Sequence, residues 1–521
     1  MNPIKRKHCI AALACLTLSA GAFAQSVHGL RGQLLDQTTT LRVSAGALAN
    51  LLGSSHAGRQ LMRVAGTPAC ALEIVYFRYG TIGGANETTN ASAALMIPSG
   101  GPACSGPRPT MLYAHGTTTY RHFNIADLAQ ADKKNGDGAS EGLAVAAMYA
   151  AQGYIVIASN YAGYSGSGLA YHPYLNAAQQ SADMIDSLTA GRVAIGRAAS
   201  RKLTWDSGKL FVTGYSQGGY VAMATHRALQ AAGVNVTAAA MGSGPYALGA
   251  MGDALVAGEV DIGSTVFTAL VATSYQHAYG NLYGSPGDLY EPAYAHEIER
   301  LLPSMTSIDA LIGKRKLPAA ALFSLSAPAP QFAALTPPTS SPITPADLTP
   351  IFALGFGHGN LVRNEYRLSM LQDGLVHPDG AFPNATVAMA PAASPAHPLR
   401  QAFMRNDLRN WTPNAPVQLC GGHNDPTVFF FNATVEQAYW KNAKVPQTLT
   451  TVLDVDASVA GTDDPYAAIK QGFASAKATL AAQAVAGGAT DGGASAVIEA
   501  YHGDLVAPFC MAAARTFFGS F

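Results

Sequence analysis

The stretch that decides the fold is Lys209-Leu-Phe-Val-Thr-Gly-Tyr-Ser216-Gln-Gly-Gly-Tyr220. Its first half is an apolar run that predicts a buried strand, and the apolar sequence from Tyr220 onward predicts a helix. Between them, the spacing Gly-x-Ser-x-Gly places a serine in a tight turn from strand to helix, where glycines avoid backbone clashes. A serine in such a turn is a candidate nucleophile, and this makes Ser216 the first candidate functional residue.

A second segment, Gly138-Ala-Ser140-Glu-Gly142, has the same spacing. It follows the polar run Asp132-Lys-Lys-Asn-Gly-Asp-Gly138, so no strand leads into it. Ser140 is therefore expected in a loop or at the start of a helix, and Ser216 remains the expected nucleophile. The polar run resembles a cation-binding loop, but two lysines stand where oxygen ligands are needed, which indicates a solvated turn without a metal.

On both sides of Ser216, short apolar runs alternate with alanine-rich helical stretches such as 141–151 and 220–232. An early hairpin followed by this alternation predicts an α/β fold, with a mostly parallel central sheet covered by helices on both faces. The predicted strands are 72–79, 93–97, 110–114, 154–158, 209–213, 236–241, 417–420 and 448–453.

The alternation stops over a long insertion. It holds apolar helical pieces at 262–279 and 294–302 and a proline-rich run at 328–350. Such an insertion is more typical of a cap, or lid, over a site than of a structureless loop. The expected organisation is a signal peptide at 1–24, a first core part at 25–245, the cap at 246–410 and a second core part at 411–521.

The first 24 residues have the pattern of a secretory signal peptide. Lys5, Arg6 and Lys7 precede an apolar run at 10–20, and Ala22-Phe-Ala24 offers a cleavage site. The apolar run is too short to span a membrane as a helix. We therefore expect an exported protein, periplasmic or extracellular, without stable membrane insertion after cleavage.

The composition narrows the range of partners. The chain has 32 Lys and Arg against 32 Asp and Glu, so it lacks the excess of positive charge that is typical of nucleic-acid-binding proteins. Hydrophobic residues make up 49% and charged residues 12%, which excludes wholesale disorder.

The cysteines that follow the signal segment are Cys70, Cys104, Cys420 and Cys510. An even number in an exported protein favours disulfide bonds, although several pairings are possible. Cys70 precedes one predicted strand and Cys104 follows the next, so an antiparallel hairpin would bring them together at its open end. This predicts the pairs Cys70–Cys104 and Cys420–Cys510.

A serine nucleophile needs a base and a group that orients the base. On a sheet of this kind the chain order Ser, Asp, His is expected. Asp425 follows the strand 417–420 in a glycine-containing turn, with Asp454 and Asp456 as substitutes, and His502 lies before the closing helix. His423, next to Asp425, is interpreted as a loop or pocket residue.

Two backbone N–H groups are expected to bind the negative oxygen that forms during nucleophilic attack. One belongs to Gln217, directly after the nucleophile. The other belongs to Thr117, in the small-residue turn Tyr113-Ala-His-Gly-Thr117 that ends a strand. His115 in the same turn is expected to brace the loop rather than to act as a base.

At these residues the chain resembles the secretory lipase and esterase family of the α/β-hydrolase superfamily. The resemblance implies a metal-independent carboxylic-ester hydrolase that needs no cofactor, with Ser216, Asp425 and His502 as catalytic residues and a lid between the sixth and seventh predicted strands. The proline-rich run and an alanine- and glycine-rich run at 474–494 depart from the family and bear on the substrate. The motifs are, in order, Tyr113-Ala-His-Gly-Thr117, Ala162-Gly-Tyr164, Tyr171-His-Pro-Tyr174, Gly214-Tyr-Ser-Gln-Gly-Gly219, Ser243-Gly-Pro-Tyr246, Cys420-Gly-Gly-His-Asn-Asp425 and His502.

The leading hypothesis is an exported serine esterase that cleaves short-to-medium acyl esters or lipids. The cap is apolar and poor in charge, which favours neutral acyl groups. An exported serine peptidase is the alternative, but the acids Glu291, Glu297 and Glu299 look scattered rather than paired for a peptide amine. A binding protein on an inactive hydrolase fold is the third hypothesis. The apolar cap residues are Phe267, Leu270, Val271, Tyr275, Tyr279, Tyr283, Tyr290 and Tyr294.

Overall fold

A computed structural model describes residues 30–130, 136–345, 348–382 and 389–521. The proposed signal peptide and most of the polar run at 132–138 lie outside these residues. Within them, no helix is both long and apolar enough to cross a membrane.

The described residues form one nine-stranded sheet in the order β1-β2-β3-β5-β4-β6-β7-β8-β9. The first three strands are antiparallel, β3 also pairs antiparallel with β5, and the strands from β5 to β9 in this order are parallel. This confirms the predicted mostly parallel sheet. The strands are β1 Leu34–Val43, β2 Ala71–Ile82, β3 Thr88–Ser99, β4 Gly106–Ala114, β5 Ile155–Ser159, β6 Thr204–Tyr215, β7 Ala238–Gly242, β8 Val417–Gly421 and β9 Thr450–Asp454.

Helices cover both faces of the sheet. α4 and α5 pack together against the central strands, and α2, α3 and α17 form the other layer. The helices are α1 Ala45–Ser54, α2 His56–Ala65, α3 Asp137–Met148, α4 Ala177–Arg197, α5 Gln217–Ala231, α6 Leu248–Val256, α7 Ser264–Tyr279, α8 Pro286–Leu289, α9 Pro292–Ala295, α10 Ile308–Gly313, α11 Thr349–Leu354, α12 Asn364–Val376, α13 Pro398–Asn406, α14 Phe431–Asn442, α15 Ala467–Ala486, α16 Ala494–Ala500 and α17 Ala507–Phe518.

Residues 246–410, which we call the inserted segment, lie between β7 and β8. In its described parts, 246–345, 348–382 and 389–410, no residue joins the sheet. The helix expected at 294–302 is instead the short α9 followed by a 3₁₀ turn, Ile298–Arg300. Proline is favoured in the first turn of a helix, and Pro292 is the first residue of α9. The helix therefore starts two residues before the predicted start at 294.

Two disulfide bonds join the four cysteines. Cys70 and Cys104 flank the open end of the β2–β3 hairpin, with Cα atoms 5.4 Å apart. Cys420 in β8 is bonded to Cys510 in α17, with Cα atoms 5.6 Å apart. Both are the pairs that the sequence predicts. The second bond ties the strand before Asp425 to the helix after His502.

Candidate active site

Ser216 lies in the turn between β6 and α5 with φ of 59° and ψ of −124°. Non-glycine residues rarely adopt this conformation, and such strain is typical of functional positions. The neighbouring glycines are required because backbone oxygen atoms leave no room for a side chain at these positions. A Cβ atom on Gly214 would lie 2.3 Å from the Gly218 carbonyl oxygen, one on Gly218 would lie 2.0 Å from the Ala114 oxygen, and one on Gly219 would lie 2.4 Å from the Gly242 oxygen.

Ser216, His502 and Asp425 form one chain of hydrogen bonds. His502 Nε2 lies 2.9 Å from Ser216 Oγ, and His502 Nδ1 lies 2.7 Å from Asp425 Oδ2. Asp425 is fully buried, and its Oδ1 atom accepts the N–H groups of Thr427 and Val428, each at 3.0 Å. Since a carboxylate can only accept, Nδ1 of His502 carries a proton and Nε2 is free to accept the proton of Ser216.

His502 is held in a π-helical turn, Tyr501–Val506, between α16 and α17. Single π turns inside helical segments are frequent at functional sites. The Tyr215 hydroxyl, one residue before the nucleophile, donates to the His502 carbonyl oxygen at 2.6 Å, and the two rings lie 5.1 Å apart. The imidazole is therefore fixed from the strand that carries Ser216 as well as from its own helix.

The alternative acids and bases point elsewhere. His423 Nδ1 lies 2.7 Å from Asp454 Oδ2, and Asp456 accepts the Tyr501 hydroxyl at 2.7 Å. Both substitute acids are therefore engaged away from Ser216. Ser140 lies in the first turn of α3, as expected for a helix start.

The turn with Thr117 lies beside Ser216, because an ideal Cβ on Gly116 would be 3.9 Å from Ser216 Cβ. Among the described residues, neither the Thr117 nor the Gln217 N–H donates a hydrogen bond to a protein group. The Thr117 hydroxyl lies 2.9 Å from the Tyr174 hydroxyl. Two free donors thus flank the serine at the positions that the sequence predicts for binding an oxyanion.

His115 is buried between the rings of Phe123 and Tyr161, at centroid distances of 4.2 and 4.0 Å. Its Nδ1 lies 2.7 Å from the Gly116 carbonyl oxygen. Burial lowers the pKa of His115 to about 4, so the ring is neutral at ordinary pH. A neutral, buried imidazole agrees with the expected role of His115 in bracing the loop.

His172 supports the side chain of Gln217, a contact that no sequence pattern indicates. Its Nδ1 lies 2.9 Å from the Ala162 carbonyl oxygen, and its Nε2 lies 2.7 Å from Nε2 of Gln217. Burial lowers the pKa of His172 to about 3, so Nδ1 donates and Nε2 accepts from the Gln217 amide. The motif that contains His172 was visible in the sequence, but only the fold supplies its partners.

Asp261 is a second residue near the site that no sequence pattern indicates. It belongs to the inserted segment, is 7% exposed and bonds the Ser264 hydroxyl. The next residue, Ile262, donates its N–H to the Pro426 oxygen at 2.9 Å, which brings the segment against the loop of Asp425. Burial, and to a lesser degree the Asp425 charge, raise the pKa of Asp261 well above its usual value.

Comparisons with known proteins agree with this fold and geometry. The model of the prolyl oligopeptidase family matches residues 142–237, which include Ser216. No match is found among curated proteins. Among solved structures, the rice cell wall degrading esterase LipA from Xanthomonas oryzae is 26% identical, with a TM-score of 0.62, over 85% of this chain and 95% of that chain.

A putative hydrolase from Legionella pneumophila is 18% identical, with a TM-score of 0.58, over 81% of this chain and 91% of that chain, and it supports the fold alone. Together with the mixed nine-stranded sheet of the described residues and the strained serine turn, the likeness to LipA indicates a serine hydrolase with the α/β-hydrolase fold, similar to a known esterase.

Proposed function

We propose that the protein is an exported serine esterase in which Ser216 is the nucleophile, His502 the general base and acid, and Asp425 the residue that orients the imidazole. The observation that carries the proposal is the hydrogen-bonded chain from Asp425 through His502 to Ser216. A buried acid that bonds a histidine, which in turn bonds a strained serine, is the geometry of a catalytic triad.

In the first half-reaction, Ser216 Oγ attacks the ester carbonyl carbon while His502 Nε2 takes its proton. The carbonyl oxygen becomes negative and is bound by the N–H groups of Thr117 and Gln217. The C–O bond to the alcohol then breaks, His502 returns its proton to the departing oxygen, and an acyl-enzyme remains. Water, activated by His502, releases the acid by the same steps in the second half-reaction.

The acyl preference is inferred from the inserted segment. Of its apolar residues, Leu270, Tyr275 and Tyr290 are buried in the core and unable to contact a substrate. Phe267 is only partly buried and stacks at 6.4 Å on Tyr174, which bonds the Thr117 side chain. An aromatic wall next to the proposed oxyanion site supports a preference for neutral short-to-medium acyl groups. Because each buried methylene contributes roughly 0.8 kcal/mol, activity should rise with chain length until the wall is covered, with an optimum at about four to eight carbons.

Export is supported by the two disulfide bonds, because such bonds persist in oxidising compartments. The N-terminal sequence agrees with export, and the similar LipA is described as degrading a plant cell wall, which lies outside the bacterial cell.

A Ser216→Ala variant tests the proposal, with Ser140→Ala as its matched control from the other Gly-x-Ser-x-Gly segment. Initial rates on p-nitrophenyl esters of increasing chain length should fall by several orders of magnitude in Ser216→Ala and change little in Ser140→Ala. Substantial activity in Ser216→Ala would exclude the proposed nucleophile. A flat response of the parent enzyme to chain length would contradict the proposed preference for apolar acyl groups.

A serine peptidase is the second candidate, because the matching family model is that of prolyl oligopeptidases. Asp261 of the inserted segment directly precedes Ile262, which bonds the loop of Asp425, and burial raises the pKa of Asp261 and so disfavours the charged form that a peptide amine would bind. We therefore favour the esterase. Aminoacyl anilides cleaved faster than the matching esters would reverse this choice.

A further inference from the structure

The second Gly-x-Ser-x-Gly segment, which does not hold the proposed nucleophile, lies in the first turns of α3. Its two glycines touch the backbone of the loop after the Thr117 turn. A Cβ on Gly138 would lie 2.6 Å from the Asn124 nitrogen, and one on Gly142 would lie 2.4 Å from the Ile125 oxygen. Larger residues at either position would push α3 away from this loop, so the glycines let the helix approach it closely.

The close approach brings Glu141 to the end of β4. One oxygen, Oε1, accepts the Tyr113 hydroxyl at 2.8 Å and the Gly116 N–H at 3.2 Å. Burial raises the pKa of the Glu141 carboxyl, and the bonds from Tyr113 and Gly116 lower it. Burial also holds the pKa of Tyr113 far above its usual value, so its hydroxyl stays a donor.

Gly116 is therefore bonded on both sides. Its N–H donates to Glu141, and its carbonyl oxygen lies 2.7 Å from Nδ1 of His115. A peptide group is planar and its C=O and N–H point in opposite directions. Fixing the Gly116 carbonyl oxygen thus also fixes the direction of the Thr117 N–H.

We propose that Glu141 is a positioning residue of the oxyanion site: together with His115 it holds Gly116 so that the Thr117 N–H faces the carbonyl oxygen of the substrate. The inference rests on the proposed function. Glu141 does not touch the substrate and acts through the backbone of Gly116. Because both of its partners donate, the role requires a hydrogen-bond acceptor rather than a charge.

Three variants test this. Glu141→Ala removes the acceptor, Glu141→Gln keeps a carbonyl oxygen without the charge, and Tyr113→Phe removes the other donor to the same oxygen while leaving the Gly116 bond. We expect Glu141→Ala to lower kcat by about 10- to 100-fold with little change in KM, since an oxyanion donor acts mainly in the transition state. Glu141→Gln and Tyr113→Phe should stay within about threefold of the parent.

A reversible trifluoromethyl ketone supplies a second readout, because its tetrahedral adduct uses the same donors. Its affinity should fall in Glu141→Ala by the same factor as kcat/KM, whereas a merely structural role would lower thermal stability and leave the affinity per active site unchanged. If Glu141→Ala does not fold, Glu141→Met, which keeps the volume but lacks the acceptor, carries the same expectation.

The inference is overturned if kcat per active site is unchanged in Glu141→Ala and Glu141→Met, which lack the acceptor. It is also overturned if Glu141→Gln or Tyr113→Phe loses as much activity as those two variants. Active sites are counted with a fluorophosphonate that labels the nucleophilic serine. Absence of label at Ser216 in the parent enzyme would refute the proposed function itself. Label at Ser216 with no effect of Glu141 would refute only this inference.

Discussion

The orientation of the Asp425 carboxylate is set by backbone groups. The Thr427 and Val428 N–H groups bind Oδ1, so Oδ2 is the atom that faces His502. In Asp425→Asn the same two N–H groups would retain the amide oxygen, and the NH₂ group would face Nδ1 of His502. The imidazole would then carry its proton on Nε2 and could not accept the proton of Ser216.

We therefore expect Asp425→Asn to lower kcat by about 10⁴-fold with unchanged folding, as for a histidine held in the wrong tautomer. Asp454→Asn is the matched control, since Asp454 bonds His423 and not the proposed base. Steady-state kinetics and circular-dichroism melting of both variants check this. Equal losses in the two variants would contradict the assignment of Asp425.

Glu259 provides a residue-scale prediction on pH. It is 2% exposed, and burial raises its pKa to about 7, although hydrogen bonds from the Ser341 and Thr344 side chains partly lower it. Between its usual value and pH 7 the folded state binds more protons than the unfolded state, so stability falls as pH rises. This contribution, about 3 kcal/mol, is fully present below pH 4.5 and is lost as pH rises through 7.

Glu259→Gln removes the titration, so its free energy of unfolding should fall less than that of the parent between pH 5 and pH 8. Glu499→Gln, which replaces an exposed carboxyl, is the matched control for the loss of one acidic side chain. Urea unfolding at a series of pH values measures the difference. Parallel curves for Glu259→Gln and the parent would show that Glu259 does not titrate in this range.

Residues near Ser216 differ in how far the sequence predicts them. The turn at Ser216 is readable because the strand, the serine and the glycines are contiguous and the steric demand is local. Glu141 and His172 act through partners that are distant along the chain, Gly116 and Gln217 respectively. No local pattern predicts such contacts. The Gly-x-Ser-x-Gly segment around Glu141 marks a helix that packs closely on a loop, and not a nucleophile.

At the scale of elements, the sequence predicted β2 to β9 but missed β1. Its sequence, Leu34-Leu-Asp-Gln-Thr-Thr-Thr-Leu-Arg-Val43, is mostly polar, and all ten residues are at least partly exposed. An edge strand has one neighbour and needs little apolar surface, so hydrophobic periodicity is weak there. The full-length pairing with β2 supplies the order that the pattern lacks.

The Cys420–Cys510 bond connects two elements that adjoin proposed catalytic residues. β8 leads into the loop of Asp425, and α17 continues the π turn of His502. The bond lies in an apolar cluster with Tyr215, the neighbour of Ser216. It therefore ties the loop of Asp425 to the turn of His502, whereas Cys70–Cys104 closes the β2–β3 hairpin.

We expect Cys420→Ala/Cys510→Ala to lower both stability and activity, and Cys70→Ala/Cys104→Ala to lower stability alone. Disulfide bonds contribute about 2–4 kcal/mol and more for longer loops. The sequence separations of 90 and 34 residues thus predict the larger loss for the first pair. Urea unfolding and kcat at 25 °C separate the two effects. An equal loss of kcat in the second pair would contradict this argument.

At the scale of the whole molecule, the inserted segment shares one apolar core with the sheet. Tyr275, Phe323 and Phe403 belong to the same buried cluster as the strand residue Leu112. The Tyr275 hydroxyl also donates to the Leu175 carbonyl oxygen at 2.9 Å. Moving the segment away would expose several large side chains, each at a cost of about 1.5–3 kcal/mol.

The segment is also bonded to the loops of the site. Ser304 donates its N–H to the Thr119 oxygen at 2.7 Å and accepts the Arg121 N–H at 2.8 Å, directly after the Thr117 turn. The Ile262 bond to Pro426 fixes the other side, next to Asp425. An opening lid would have to break these backbone bonds as well as the shared core.

We therefore expect no activation at an oil–water interface. Initial rates on tributyrin should rise along one saturation curve through the solubility limit of the substrate, because Ser216 and His502 are partly exposed without any movement of the inserted segment. Amide hydrogen exchange of peptides covering Ser304 and Ile262 should be unchanged by added emulsion, since the backbone bonds to Thr119 and Pro426 stay formed. A jump in rate at the solubility limit, together with faster exchange in these peptides, would show instead that the inserted segment opens at a lipid surface.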